Sequence, residues 1–107
     1  MIYLATPYSH EDSTIRHLRF LTAVRISGRF MAKGEHVFCP IVQTHPIAIE
    51  CELPTDFDYW HEYDEWWLSR CDKFVVVKMH GWDQSKGVQV EIEMAAKYGI
   101  PVEYVEP

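Results

Sequence analysis

Lys73-Phe74-Val75-Val76-Val77, followed by Gly81-Trp82-Asp83-Gln84-Ser85-Lys86-Gly87 and then Val88-Gln89-Val90-Glu91-Ile92-Glu93-Met94-Ala95-Ala96, is the stretch on which the fold turns. Its first segment is a short run of aromatic and β-branched residues, the pattern of a buried strand. Gly81 and Gly87 permit a tight turn and close backbone approach. Ser85 stands where it can cap the helix that follows. Strand, small-residue loop and helix N-terminus, in that order, make an anion-receptive corner in an open α/β sheet.

Counted at about 100° per residue, Val88, Ile92, Ala95 and Gly99 share the helix face that packs on a sheet. Glu91 flanks that stripe and Glu93 points toward solvent. A carboxylate beside a core-facing stripe, one turn inside a helix and next to a glycine-bearing loop, has two readings. It is a helix-start glutamate favoured by the macrodipole, or a group placed for chemistry.

Outward from this stretch, elements alternate. Met1 to Ala5 reads as a buried strand and Thr6-Pro7-Tyr8-Ser9-His10 as the loop after it. Glu11 to about Lys33 reads as a long helix, with Ile15, Leu18, Thr22, Ile26 and Phe30 on one face and Gly34 as its stop. His36 to Cys39 is a second strand ended by Pro40. Ile41 to Leu53 has Pro46 and no clean period, and is read as a loop with at most a short helical turn. A helix from Pro54 to about Arg70, a strand from Asp72 to Met79, a helix from Gly87 to Tyr98 and a strand from Pro101 to Val105 complete the chain. The alternation implies a small flavodoxin-like or Rossmann-like three-layer α/β domain over 1–107, with a mostly parallel sheet. Ligands in such sheets bind outside the carboxyl ends of the strands. That edge gathers the loops Thr6 to His10, Pro40 to His45 and His80 to Gly87.

Composition narrows the partners. A net charge of −6 argues against a duplex nucleic-acid binder, which needs a basic surface to displace counterions. A small anion remains compatible, because a few local donors suffice. No apolar run approaches a transmembrane length and the chain starts without a signal-peptide pattern. Three cysteines, Cys39, Cys51 and Cys71, lack metal-type pairing and fit a reducing cytosol. With His36, His45, His61 and His80 they match no standard zinc spacing, so neither metal nor cofactor is expected. His45 is read as a cleft residue of the second loop, against a surface histidine as the default. Arg16, Arg19, Arg25 and Arg29 form a mostly solvated face, with Arg16 or Arg19 near enough to the first loop to reach a ligand phosphate.

The helix from Pro54 carries a second anomaly. Phe57, Trp60, Trp67, Leu68 and Cys71 make its apolar stripe, and Asp64 falls near the middle of it, whereas Glu62, Glu65 and Trp66 project away. A buried aspartate is costly unless paired, hydrogen-bonded or neutralised. It is tied to a neighbouring loop, or it converges with Glu91 on a cleft where repulsion and desolvation raise one pKa. Two carboxylates with separated pKa values can divide nucleophile and acid roles, as in glycosidic cleavage.

Tyr3-Leu4-Ala5 with Thr6-Pro7, His61-Glu62-Tyr63-Asp64, Cys71-Asp72-Lys73-Phe74-Val75-Val76-Val77 and Ser85-Lys86-Gly87-Val88-Gln89-Val90-Glu91 together resemble the nucleoside 2-deoxyribosyltransferase superfamily, over nearly the whole chain. The nearest characterised pattern is that of the 2′-deoxynucleoside 5′-phosphate N-hydrolases. Tyr8-Ser9-His10 and His45-Pro46-Ile47 also resemble a bacterial and phage branch. The resemblance implies Glu91 as the catalytic glutamate acting at C1′ of the sugar. It implies Asp64 as the residue assisting or binding near the base, and Tyr3 as the tyrosine orienting the glutamate. Ser85 and Gly87 would form the phosphate-binding loop, and Thr6, Pro7, Tyr8, Ser9 and His45 would line the substrate site. It further implies a small-molecule nucleotide or nucleoside as partner and a homodimer or higher homo-oligomer. The chain departs from the pattern at Glu93 and Val88, where the family carries Gly and a small residue, and in its first loop. A non-catalytic nucleotide-binding or sensing module on the same fold stays open as the other function class.

Overall fold

The two innermost strands explain the rest of the architecture. β1 (Ile2–Ala5) and β3 (Lys73–Val77) are almost wholly apolar, as strands covered on both faces must be. In the computed structural model, which describes residues 1–107, they pair in parallel, with Tyr3 opposite Phe74 and Ala5 opposite Val76. β2 (Val37–Phe38) adds to the free side of β1 and β4 (Val102–Val105) to the free side of β3. The sheet is therefore parallel throughout, in the order β2-β1-β3-β4, and the protein is a small three-layer α/β domain. No helix is long and apolar enough to cross a membrane.

Alternation along each strand fills two cores. Tyr3, Ala5, Phe74 and Val76 face one side, with Leu68, Cys71, Val88, Met94, Ala95 and Ile100. Ile2, Leu4, Val75 and Val77 face the other, with Ala23, Ile26, Cys39 and Met79. The second layer is α1 (Ser13–Ala32), capped by Asp12, whose side chain accepts from the Thr14 amide. The first contains α3 (Phe57–Leu68) and α4 (Lys86–Lys97), capped by Asp56 and Ser85. Such caps satisfy amides that the first helical turn leaves without carbonyl partners.

Three sequence expectations change. Residues read as a loop from Ile41 form a helix, α2 (Pro40–Glu50). Pro40 at its start costs nothing, because that amide has no helical partner anyway. Pro46 lies inside and forfeits the bond to the Val42 carbonyl. The helix persists because Ile41, Thr44, His45 and Ala48 are buried at the spacing of one helical face. Leu18, placed on the buried face of α1, is 54% exposed; the buried residues there are Ala23, Ile26 and Ser27. Gly99 lies beyond α4 in an exposed left-handed turn at φ 68°, so the buried face of α4 is Val88, Glu91, Met94 and Ala95.

Candidate active site

β1 leads out through α1 to β2 on one side, while β3 leads through α4 to β4 on the other. The carboxyl ends of β1 and β3 are thus a topological switch point, where two adjacent loops part and leave a crevice. A cavity of about 380 Å³ opens there. The β1 loop gives it Thr6, Tyr8 and Ser9, the start of α2 gives Pro40, Ile41 and Thr44, and the end of the β3 loop with α4 gives Gln84 to Gly87 and Glu91. Its remaining wall is the entry to α3, Thr55 to Asp58, with Trp60 and Asp64.

Glu91 and Asp64 meet in this cavity from α4 and α3. They are 5% and 6% exposed, so Glu91 is at the centre of its helix's buried face rather than at the edge. The Tyr3 hydroxyl, from the middle of β1, donates to Glu91 Oε2. Tyr3 is wholly buried, its ring stacked on Phe74 at 5.5 Å and tilted against Phe38 at 5.9 Å, and Phe38 stacks in turn on Trp67. The tyrosine therefore has one orientation available, and its hydroxyl meets the glutamate.

Burial raises both carboxyl pKa values well above the ordinary range. For Glu91 the Asp64 charge adds to that rise, and the Tyr3 hydrogen bond opposes it. Two such groups in one crevice titrate as a pair. Burial, with the Glu91 and Asp64 charges, also pushes the Tyr3 phenol up, so it stays a donor. Asp64 Oδ1 and Thr6 Oγ1 are buried on the cavity wall without a protein hydrogen bond. Buried polar atoms are rarely left so, and both belong to residues that line the crevice.

Gly81 and Gly87 shape the remaining edge. Gly81 starts the turn at Trp82–Gln84 with φ 90°, a conformation costly to any other residue. At Gly87 a Cβ would lie 3.0 Å from Phe57 Cδ1, so the missing side chain lets α3 and α4 close on the cavity. Ser85 Oγ accepts from the Val88 amide at 3.3 Å and also lines the cavity.

The other residues singled out in the sequence divide. Thr6, Tyr8, Ser9, Ser85 and Gly87 line the cavity. Pro7 is buried beneath the loop, outside the lining. His45 stands behind the lining on α2: its Nδ1 is 2.5 Å from the Tyr8 hydroxyl, its ring stacks on Phe20 at 4.6 Å, and His17 Nδ1 is 3.5 Å from its Nε2. Burial first, then the neighbouring His17 and Arg16 charges, push its pKa down and favour the neutral ring that can hold Tyr8. Arg16 and Arg19 donate to the carbonyls of His10 and Ser9, fastening the first loop from behind.

Sequence reasoning placed Pro40 to His45 at this edge without singling out Pro40, Ile41 or Thr44, and it missed the entry to α3. Asp56 and Asp58 belong to the cavity rim, and their signal was an N-cap and a first-turn acid, which local helix chemistry already explains. Lys86 Nζ reaches Asp58 Oδ1 at 2.9 Å across that rim, both side chains being largely exposed.

Compared with known families, residues 1–106 match one described as a Domain of unknown function (DUF1937). The chain belongs to that family. No functionally curated protein matches it. The crevice is therefore read from its own chemistry: in this DUF1937 domain the buried tyrosine and two carboxylates are drawn from three separate elements, β1, α3 and α4.

Proposed function

We propose that this domain cleaves or transfers the N-glycosidic bond of a nucleoside or nucleotide. The observation that carries the reading is the buried carboxylate pair on one cavity wall, with Tyr3 donating to Glu91 and Asp64 Oδ1 unpartnered. In the reactive form the pair carries one negative charge on Glu91, which the Tyr3 hydrogen bond favours, and its proton on Asp64. Glu91 Oε1, the oxygen that Tyr3 does not hold, faces C1′. As the C1′–N bond breaks, its electron pair leaves with the base, Asp64 delivers the proton, and Glu91 stabilises the cationic sugar or bonds to C1′. In the covalent course water or a second base then attacks C1′, gives its proton to Asp64 and frees Glu91. Water makes the enzyme a hydrolase; a base makes it a transferase.

A cavity of about 380 Å³ is within the range of small-molecule sites. Tyr8, braced by His45, supplies an aromatic surface for the base. The chemistry uses carboxylates alone and calls on no metal or cofactor. A cytoplasmic homodimer is part of the proposal; Trp66, 51% exposed beneath the Arg70 guanidinium at 3.7 Å, is its interface residue. The test is chromatographic. Deoxynucleosides, ribonucleosides and their monophosphates are incubated with the protein, with and without a second base, and released base is measured. Release that Glu91→Gln abolishes supports the glycosidase. Tight binding with no release from any substrate makes the domain a nucleotide-binding module instead.

A further inference from the structure

The charged residues lining the cavity are unevenly signed. Asp56, Asp58, Asp64 and Glu91 face it, against Lys86 alone. Even with Asp64 and Glu91 both protonated, two rim carboxylates oppose one positive charge. Lys86 is already engaged with Asp58 at 2.9 Å. Asp56 Oδ2 accepts from the Tyr59 amide at 3.2 Å and stays at the rim as the cap of α3. The arginines nearest the crevice, Arg16 and Arg19, are turned to the His10 and Ser9 carbonyls and do not line it. Three helix starts at the cavity favour an anion, each by about half an elementary charge. Asp56 and Asp58 already stand on that of α3, however, Ser85 Oγ holds the Val88 amide of α4, and Pro40 leaves the first position of α2 without an amide.

We propose that this rim selects a free nucleoside over the same nucleoside bearing a 5′-phosphate, and that Asp58 is the residue that sets the preference. The inference rests on the glycosidase reading and deepens it. A 5′-hydroxyl carries a proton that a rim carboxylate can accept. A 5′-phosphate brings about −1.5 to −2 charge at neutral pH and no proton to offer. To gain a cation it must take Lys86 from Asp58, which leaves that carboxylate unpaired beside it. Exposed ion pairs are weak, so Lys86 is not locked away; the discrimination comes from the Asp58 charge that remains when Lys86 swings.

The experiment compares kcat/KM for base release from one deoxynucleoside and its 5′-monophosphate, at low and at high salt. The nucleoside is preferred by on the order of tenfold at low salt, and the preference shrinks as salt screens the rim. Asp58→Asn lowers the ratio several-fold and Lys86→Gln raises it. Opposite shifts from two neighbouring exposed positions cannot come from partial unfolding, which would lower both activities together. Preference for the monophosphate, or a ratio that neither variant moves, overturns the inference and leaves the glycosidase standing. Absence of base release from every substrate overturns the glycosidase reading, and the inference falls with it.

Discussion

Two sets of carboxylates face one cavity, and their surroundings make them different reagents. At the floor, Glu91 and Asp64 are nearly inaccessible, titrate as a pair and are backed by the wholly buried Tyr3. At the rim, Asp58 is three-quarters exposed and pairs with a lysine in water. Removing solvent strengthens every charge interaction, so under the proposed reaction a carboxylate at the floor would govern bond cleavage while one at the rim would only bias which ligand enters. The comparison breaks first at Glu91. Glu91→Gln keeps the shape and removes the charge, and it is expected to lower base release by about a thousandfold or more, as measured by single-turnover chromatography. A loss of only a few fold would mean that the floor pair does not carry the chemistry.

Tyr3→Phe comes next. It deletes the one donor that favours ionised Glu91, leaving the aromatic stack on Phe74 in place. A loss of about tenfold to a hundredfold is expected, at the low end for a donor to a charged group. The direction of the pH profile identifies the cause. The Tyr3 bond holds the Glu91 pKa down against burial and the Asp64 charge, so its removal shifts the acid limb of the rate profile to higher pH. An unshifted profile would make Tyr3 a packing residue.

How much of this was legible in the chain follows the same division. The β3-loop-α4 segment was readable because each local signal agreed: an apolar strand, a glycine that adopts a left-handed turn, a serine that caps and a helix behind it. Asp64 was readable because an acid amid Phe57, Trp60 and Leu68 conflicts with its stripe. The burial of Glu91 was underestimated, since the phase count favoured Ile92, which is only half-buried. Tertiary packing rotated the buried face toward Glu91 and Met94, a choice no single-helix pattern contains. α2 was hidden by Pro46, whose local cost is outweighed only by burial against other elements. The rim was hidden for the opposite reason: Asp56 and Asp58 satisfy helix-start chemistry so well that nothing in the local pattern marks them as more.

The floor pair also has a stability cost, and Asp64→Asn isolates it. Both carboxyl pKa values are raised in the folded protein, chiefly by burial. The folded state therefore binds more protons than the unfolded one above the ordinary carboxylate range, and stability falls as pH rises through that window. An amide has no such titration. Asp64→Asn is expected to flatten the decline and to gain about 2 kcal/mol at mildly alkaline pH, read by denaturant unfolding across pH, while base release drops about a hundredfold or more. Equal pH slopes in the two proteins would mean that Asp64 is ionised in the fold.

Gly87→Ala probes the seam between floor and rim. Its new Cβ would meet Phe57 Cδ1 at 3.0 Å, so the ring must give by a few tenths of an ångström. Better helix propensity for alanine partly offsets that strain, and a net loss of about 1 kcal/mol is expected by thermal unfolding.

Asp58→Asn, the rim change, is the smallest in stability and so the sharpest contrast. Two terms act on it. The Lys86 pair is lost, but both partners are solvated and such pairs contribute little. A charge is also lost from the first turn of α3, where a negative group is mildly favourable. Both terms have the same sign, and together they stay within roughly 0.5 kcal/mol, close to the limit of a denaturant melt. The same substitution is expected to change the nucleoside-to-monophosphate ratio several-fold. If Asp58→Asn instead destabilises the fold as much as Gly87→Ala does, the rim is structural and the distinction between floor and rim is lost. If the melt is unchanged and the ratio moves, one cavity separates the two tasks by depth: chemistry where water is excluded, selection where it is not.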